Sequence, residues 1–316
     1  MSRARAWLEI MRISNAPTVV SNAIAGAAIG VCLHANGLDR WDRIPPSTYL
    51  VLAVPLLIYT AGMILNDAFD AEIDARERPG RPIPSGRISR TAAFAVGAAL
   101  LALALGACTA AGSSMALQLT VVLAACVLVY DAVHAVLPVS VVLLAACRAL
   151  AVLVPLSAFQ GEPMQWGLAT LSLPVAVAVW TVGLSILARG EVSPPAQGRH
   201  GGRLPGPIEL MVPGFFACVV CVAIVVRFAR DDESPSRLRL LVPLGIAVVG
   251  GWLALRSWHR LCDDPRETPR SVGRLIVCLC FIDATFMTAL GEPAIGAACL
   301  ALALVADRLQ RRIAGS

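Results

Sequence analysis

The sequence predicts an all-α, polytopic transmembrane helix bundle, and three observations carry that reading. Of the 316 residues, 57% are hydrophobic and only 15% charged, whereas soluble domains carry roughly 25% charge. Apolar runs close to the ~20 residues that span a bilayer recur from one end to the other. No spacing suggests an outer-membrane barrel, so the spans are read as helices, which satisfy their backbone hydrogen bonds internally.

The apolar stretches are 14–35, 48–66, 91–113, 115–130, 139–159, 167–188, 208–228, 239–257, 271–290 and 293–309. About nine are read as spans. The last, after Gly291-Glu292-Pro293, is a tenth crossing or a re-entrant element. Arg3, Arg5 and Arg12 precede the first stretch like a secretory leader, but no small-residue cleavage site follows, so this segment is kept with the first helix. The connections are short and no repeat is visible, so residues 1–316 are read as a single integral membrane domain.

All 26 basic residues are Arg, which excludes Schiff-base chemistry and a P-loop lysine. They alternate in density. Arg76, Arg78, Arg81, Arg87 and Arg90 lie in the second connection, with further Arg in the sixth and eighth, while the third and fifth have none. The positive-inside bias places the N-terminus and the even connections on the cytoplasmic side, so the expected location is a bacterial-type plasma membrane. No basic block joins aromatic residues, which argues against nucleic acid. The ten Cys are scattered singly or as pairs inside apolar runs and read as small buried residues rather than metal ligands.

The chemistry concentrates in Asn66-Asp67-Ala-Phe-Asp70-Ala-Glu-Ile-Asp74-Ala-Arg76-Glu-Arg78-Pro-Gly-Arg81-Pro-Ile-Pro-Ser-Gly86. On a helix each step of four residues drifts by about 40°, so Asn66, Asp70 and Asp74 share one face, and Asp67 lies off it. Their hard oxygens suit Mg²⁺, which keeps waters and completes its shell with phosphate oxygens. Arg76, Arg78 and Arg81 offer planar forks to those phosphates. The bland alternative is a polar helix end with solvated charges.

This run resembles the first aspartate-rich motif of the UbiA superfamily of intramembrane prenyltransferases, N-D-x-x-D-x-x-x-D followed by R-P-x-P-x-G, without a mismatch. Arg12, Asn15-Ala-Pro17, Asn22 and Gly26 look like that family's opening segment, and helix count and motif position also agree. The resemblance implies that Asn66, Asp70 and Asp74 hold Mg²⁺ and that Arg81 holds the diphosphate of a prenyl donor. Tyr130-Asp131 closes the fourth span as a Tyr does in the family, where an aromatic face stabilises an allylic cation. The family often has a Lys shortly afterwards, and His134 is the nearest counterpart. Interfacial anchoring is the alternative for Tyr130. Intramembrane Asn22, Arg148 and Asp283 each face a cavity or a partner on another helix.

One departure stands out. The family's second D-x-x-x-D motif should end the sixth helix, where this chain has Ser185-Ile-Leu-Ala-Arg189-Gly190-Glu191-Val. Its ending resembles the EboC-like branch, which keeps the first motif and loses the second. Arg189 then substitutes electrostatically for a second metal, or the diphosphate site is crippled. Asp263-Asp264 reads as a solvated loop.

The resemblance therefore implies a Mg²⁺-dependent prenyltransferase that moves a prenyl group from a polyprenyl diphosphate to an aromatic, small or lipid acceptor. Asp67, Tyr130 and Asp131 are its catalytic candidates. Asn22, Arg76, Arg81, Arg148, Arg189 and Glu191 are its substrate-binding candidates. The partners implied are the two substrates and the lipid bilayer, with no obligate protein. The rival is a non-catalytic carrier of prenyl phosphates. CDP-alcohol phosphotransfer lacks its D-G-x-x-A-R run.

Overall fold

The computed structural model describes residues 3–35, 41–133, 137–189, 207–228, 237–263 and 268–312. Those residues contain no strand. Helix α1 (Arg3–Ile10) leads through a tight turn at Ile13–Asn15 into α2 (Ala16–Ala35). A 3₁₀ segment, Pro46–Ala53, continues into α3 (Val54–Phe69), and a short α4 (Ala71–Glu77) follows. Then come α5 (Arg90–Ala111), α6 (Ser114–Val133), α7 (Leu137–Gln160), α8 (Leu168–Arg189) and α9 (Pro207–Phe228). The chain ends with α10 (Arg237–Asp263), α11 (Thr268–Leu290) and α12 (Pro293–Arg312).

Among the described residues, nine helices are long and apolar enough to cross a membrane. α9 lies on the seventh predicted stretch. The last stretch is one continuous helix of 20 residues, unlike the broken backbone of a re-entrant element. Turn chemistry sets the boundaries. The Ser89 hydroxyl accepts from Ala92 N–H to cap α5, and Gly112 ends it at φ +70°, a conformation that costs glycine least. Leu103, Val142, Val248, Trp252 and Leu304 are exposed large apolar residues on several helices, a surface suited to lipid and not to water.

The bundle is organised from inside out. The spans led by α2 and α11 are 83% and 72% buried, against 22% for α5, α6 and α12. Apolar burial does not drive helices together in lipid, so close backbone approach and polar contacts matter more. On α2, Gly26 and Gly30 form a G-x-x-x-G stripe. A Cβ on Gly26 would lie 2.2 Å from the Val152 carbonyl oxygen, and one on Gly30 2.4 Å from that of Leu156. The two helices therefore touch backbone to backbone in a register of four against four. One further step back brings Asn22 onto Arg148, and those two residues are hydrogen-bonded.

Candidate active site

The Asn66–Gly86 stretch folds back on itself. The backbone bonds Asp70 N–H to Asn66 C=O (2.9 Å), Asp74 N–H to Asp70 C=O (2.8 Å) and Arg78 N–H to Asp74 C=O (2.8 Å) carry the helical ladder from α3 into α4. Asn66, Asp70 and Asp74 are thereby stacked one turn apart. Asn66 and Asp74 are buried and Asp70 is half-buried. Beyond α4, Ser85 N–H reaches Arg81 C=O and Ile88 N–H reaches Pro82 C=O, with Gly86 at φ +74°. Ile83 and Ile88 then pack with Ala6, Ile10, Ile64, Ala68 and Ala71. This apolar seat under α1 keeps the loop over the end of α3.

The result is a compact charge cluster. Arg81 Nη1 donates to Asp74 Oδ2 at 2.8 Å and lies 3.5 Å from Asp67 Oδ1. Arg12 Nη2 approaches the same Asp67 oxygen at 3.8 Å. Asp67, off the face shared by Asn66, Asp70 and Asp74, is thereby joined to the same cluster. It is seven residues from Asp74, two helical turns, so both carboxylates reach one guanidinium. Arg90 donates to Ala68 C=O (2.9 Å) and to Glu72 (2.8 Å), and Arg87 bonds Gly80 C=O and Glu9, which braces the loop from outside. Arg76 and Arg78 lie exposed.

Below the cluster a cavity of about 100 Å³ opens between α2, α3, α6 and α7, with Tyr59, Tyr130, Asp131 and Arg148 among otherwise apolar walls. The structure thus brings together Tyr130, Asp131 and Arg148 and adds Tyr59, which the sequence reading missed. The signal was its position seven residues before Asn66, on the same face of α3. Tyr59 donates to the Arg12 carbonyl at 3.1 Å. Arg12 itself sits at φ +44°, a region that costs a non-glycine residue strain. Arg12 therefore connects cavity and charge cluster, its carbonyl on Tyr59 and its guanidinium near Asp67.

Asn22 is fully buried and does not line this cavity. Its Nδ2 donates to both Asp283 oxygens (3.0 and 2.9 Å), and its Oδ1 accepts from Arg148 Nη1 at 3.3 Å. Ser21 Oγ also donates to Asp283 at 2.5 Å, and Arg148 Nη1 reaches Thr18 Oγ1 at 3.2 Å. Asp283 is thus a helix-packing partner, tying α11 to α2.

Among the described residues, no three His, Cys, Asp or Glu side chains converge on a metal position. Asn66 is an amide, and Asp74 is turned to Arg81. The set nevertheless fits Mg²⁺. It consists of a few hard oxygens on one face beside arginines, a shell that phosphate and water would complete. Arg189 ends α8, but its side chain, with Glu191, His134 and Asp264, lies outside the described residues.

The model of the UbiA prenyltransferase family matches residues 23–189, more than half of the chain. Digeranylgeranylglyceryl phosphate synthase of Sulfurisphaera tokodaii is 37% identical over 84 residues, 27% of each chain. That of Pyrococcus horikoshii is 40% identical over 96 residues, 29% of this chain and 31% of its own. The chain thus matches less than a third of the length of these curated relatives. A UbiA homologue from Archaeoglobus fulgidus, solved with GPP and Mg²⁺, shares the fold with a TM-score of 0.56 at 14% identity, over 90% of this chain and 99% of that one. This chain belongs to the UbiA prenyltransferase family.

Proposed function

We propose that this protein is an integral membrane prenyltransferase that takes the prenyl group from a prenyl diphosphate and joins it to a nucleophilic acceptor. The observation that carries this reading is the stack of Asn66, Asp70 and Asp74 with Arg81 laid across it. The single-domain reading of residues 1–316 belongs to this proposal. So does its orientation, with the end of α3 and the arginine-rich 67–90 connection on the cytoplasmic side.

Asn66, Asp70 and Asp74 would hold Mg²⁺, which supplies Lewis-acid neutralisation of a departing diphosphate. Arg81 exchanges Asp74 for diphosphate oxygens when substrate arrives, since a phosphate offers the same fork geometry with more charge. The prenyl C1–O bond breaks with its electron pair leaving on the diphosphate. Tyr130 faces the allylic cation from the cavity wall. The acceptor nucleophile bonds to C1 and gives up its proton. Asp67 is engaged by Arg81 and Arg12 in the charge cluster and does not line the cavity. Asp131, buried in the cavity wall, is the better acceptor. Arg189, and Glu191 after it, would stand where a second metal cluster lies in two-motif members, as in the EboC-like branch.

The relatives' names support a glyceryl phosphate lipid as one acceptor class beside small aromatic acceptors. Purified protein would be incubated with geranyl or longer prenyl diphosphates, acceptors of both classes, and Mg²⁺. Prenylated product and pyrophosphate in equal amounts, lost in Asp70→Ala, support the enzyme. Tight donor binding without product for any chain length indicates a carrier.

A further inference from the structure

We infer that Gln310, near the end of α12, is a positioning residue for the candidate active site: through Asn15 it fixes the turn that aims the Arg12 guanidinium at Asp67 in the charge cluster. The inference rests on the prenyl-transfer reading and adds to it a residue, at the far end of the chain, on which donor binding depends.

Arg12 sits between α1 and α2 in a left-handed conformation, φ +44° and ψ +49°. Among the described residues no other non-glycine residue has a positive φ. Such a conformation persists where its surroundings over-determine it. Here the Arg12 N–H donates to Glu9 C=O at 3.0 Å, and the Arg12 carbonyl accepts from Asn15 N–H at 3.0 Å and from the Tyr59 hydroxyl at 3.1 Å. From that root the guanidinium reaches to 3.8 Å from Asp67 Oδ1.

Asn15 is in turn held at three points. Its N–H bonds Arg12, its carbonyl accepts from the Thr18 hydroxyl at 2.8 Å, and its Oδ1 accepts from Gln310 Nε2 at 3.2 Å. The first two contacts are local. The third spans 295 positions of sequence and ties the turn to the last helix.

Gln310 has a prepared seat. A Cβ on Gly273 of α11 would lie 2.6 Å from Gln310 Oε1, so the glycine leaves the space in which this amide lies. Val277 and Cys280 of α11 pack with Ala303 and Ala306 of α12 just before it, which makes the pair of helices a firm base. The amide is uncharged. It therefore orients the turn without altering the balance of Arg12 and Arg81 against Asp67 and Asp74. A long guanidinium side chain keeps a productive geometry only when its root is fixed by supporting contacts. Loss of the Gln310 amide leaves every charge of the cluster in place and frees that root.

The test uses the purified full chain in detergent and two readouts: affinity for geranyl diphosphate with Mg²⁺, and hydrogen exchange of the Asn15 amide. Gln310→Leu keeps the bulk of the side chain and removes the hydrogen bond. It should weaken donor binding about three- to tenfold and speed Asn15 exchange by a similar factor, with little change in thermal midpoint. In an Asn15→Ala background Gln310→Leu should have no further effect on affinity, as required of a residue that acts through Asn15. Leu302→Ala, which loosens the packing of α12, should lower the thermal midpoint and leave affinity unchanged. Donor affinity at the wild-type level in folded Gln310→Leu, or an undiminished loss in the Asn15→Ala background, overturns the inference. If wild type does not bind geranyl diphosphate with Mg²⁺, the prenyl-transfer reading fails, and Asn15 exchange alone then decides whether Gln310 holds the turn.

Discussion

Arg81 Nη1 sits 2.8 Å from Asp74 Oδ2 and 3.5 Å from Asp67 Oδ1, so one guanidinium ties a carboxylate of α4 to one near the end of α3. Arg81 and Asp74 side chains are only 10% and 8% exposed. Removing one partner of a buried pair leaves the other charge uncompensated, at about 3–5 kcal/mol. Arg12 offsets part of this at Asp67. Arg81→Gln should therefore lower the thermal midpoint in detergent, and Arg81→Gln with Asp74→Asn should recover much of it. Neither variant should recover donor affinity. A double-mutant cycle on both readouts separates the fold from the ligand.

The two proton candidates should part company in kinetics. Asp131→Asn should cut kcat by about 10²–10⁴ with little change in donor KM, the range for a positioned general base. Asp67→Asn should act mainly on donor KM, because it loosens Arg81 and Arg12. The opposite pattern would exchange their roles.

Backbone contact between α2 and α7 predicts a steep glycine series. Gly26→Val forces a side chain into the Val152 carbonyl and should prevent a folded, monodisperse protein in detergent. Gly106 lies in α5 with open space around its Cβ position. Gly106→Ala should be neutral or stabilise by up to about 1 kcal/mol. Size-exclusion profiles after heating compare the two directly.

Much of the site was legible because its signal is local. Asn66, Asp70 and Asp74 recur at helical spacing, and the Arg81–Gly86 segment follows within a few residues. Even there, counting in fours hid the two-turn relationship between Asp67 and Asp74. Asn22, Arg148 and Asp283 were visible individually as polar residues in apolar runs, but their pairing depends on which helices touch. That in turn depends on the Gly26–Gly30 stripe meeting carbonyls more than a hundred residues away. Tyr59 gave little signal alone, since a Tyr in a span reads as an interfacial anchor.

The connection between α7 and α8 makes a pH-sensitive contact with the start of α6. Glu162 Oε1 accepts from the Met115 N–H at 3.0 Å and from Ser114 Oγ at 2.8 Å. Those bonds, the Met115 N–H first, hold its carboxyl below the ordinary value of 4.5. A depressed carboxylate contributes stability that is fully present above the unfolded value and lost as pH falls through the folded one. Exchange of the Met115 amide, referenced to an amide in the middle of α6, should thus speed up below about pH 4. Glu162→Gln should remove that pH dependence.

Calorimetric titration of geranyl diphosphate into the purified protein asks whether the Asn66–Arg81 stretch binds a diphosphate together with Mg²⁺. With Mg²⁺ present, wild type should bind with one site per chain, and chelation of the metal should weaken binding at least about tenfold. Asp70→Ala with Asp74→Ala should remove the metal dependence. Binding that is indifferent to Mg²⁺, or unchanged in that double variant, would mean that this stretch is not the metal–diphosphate site.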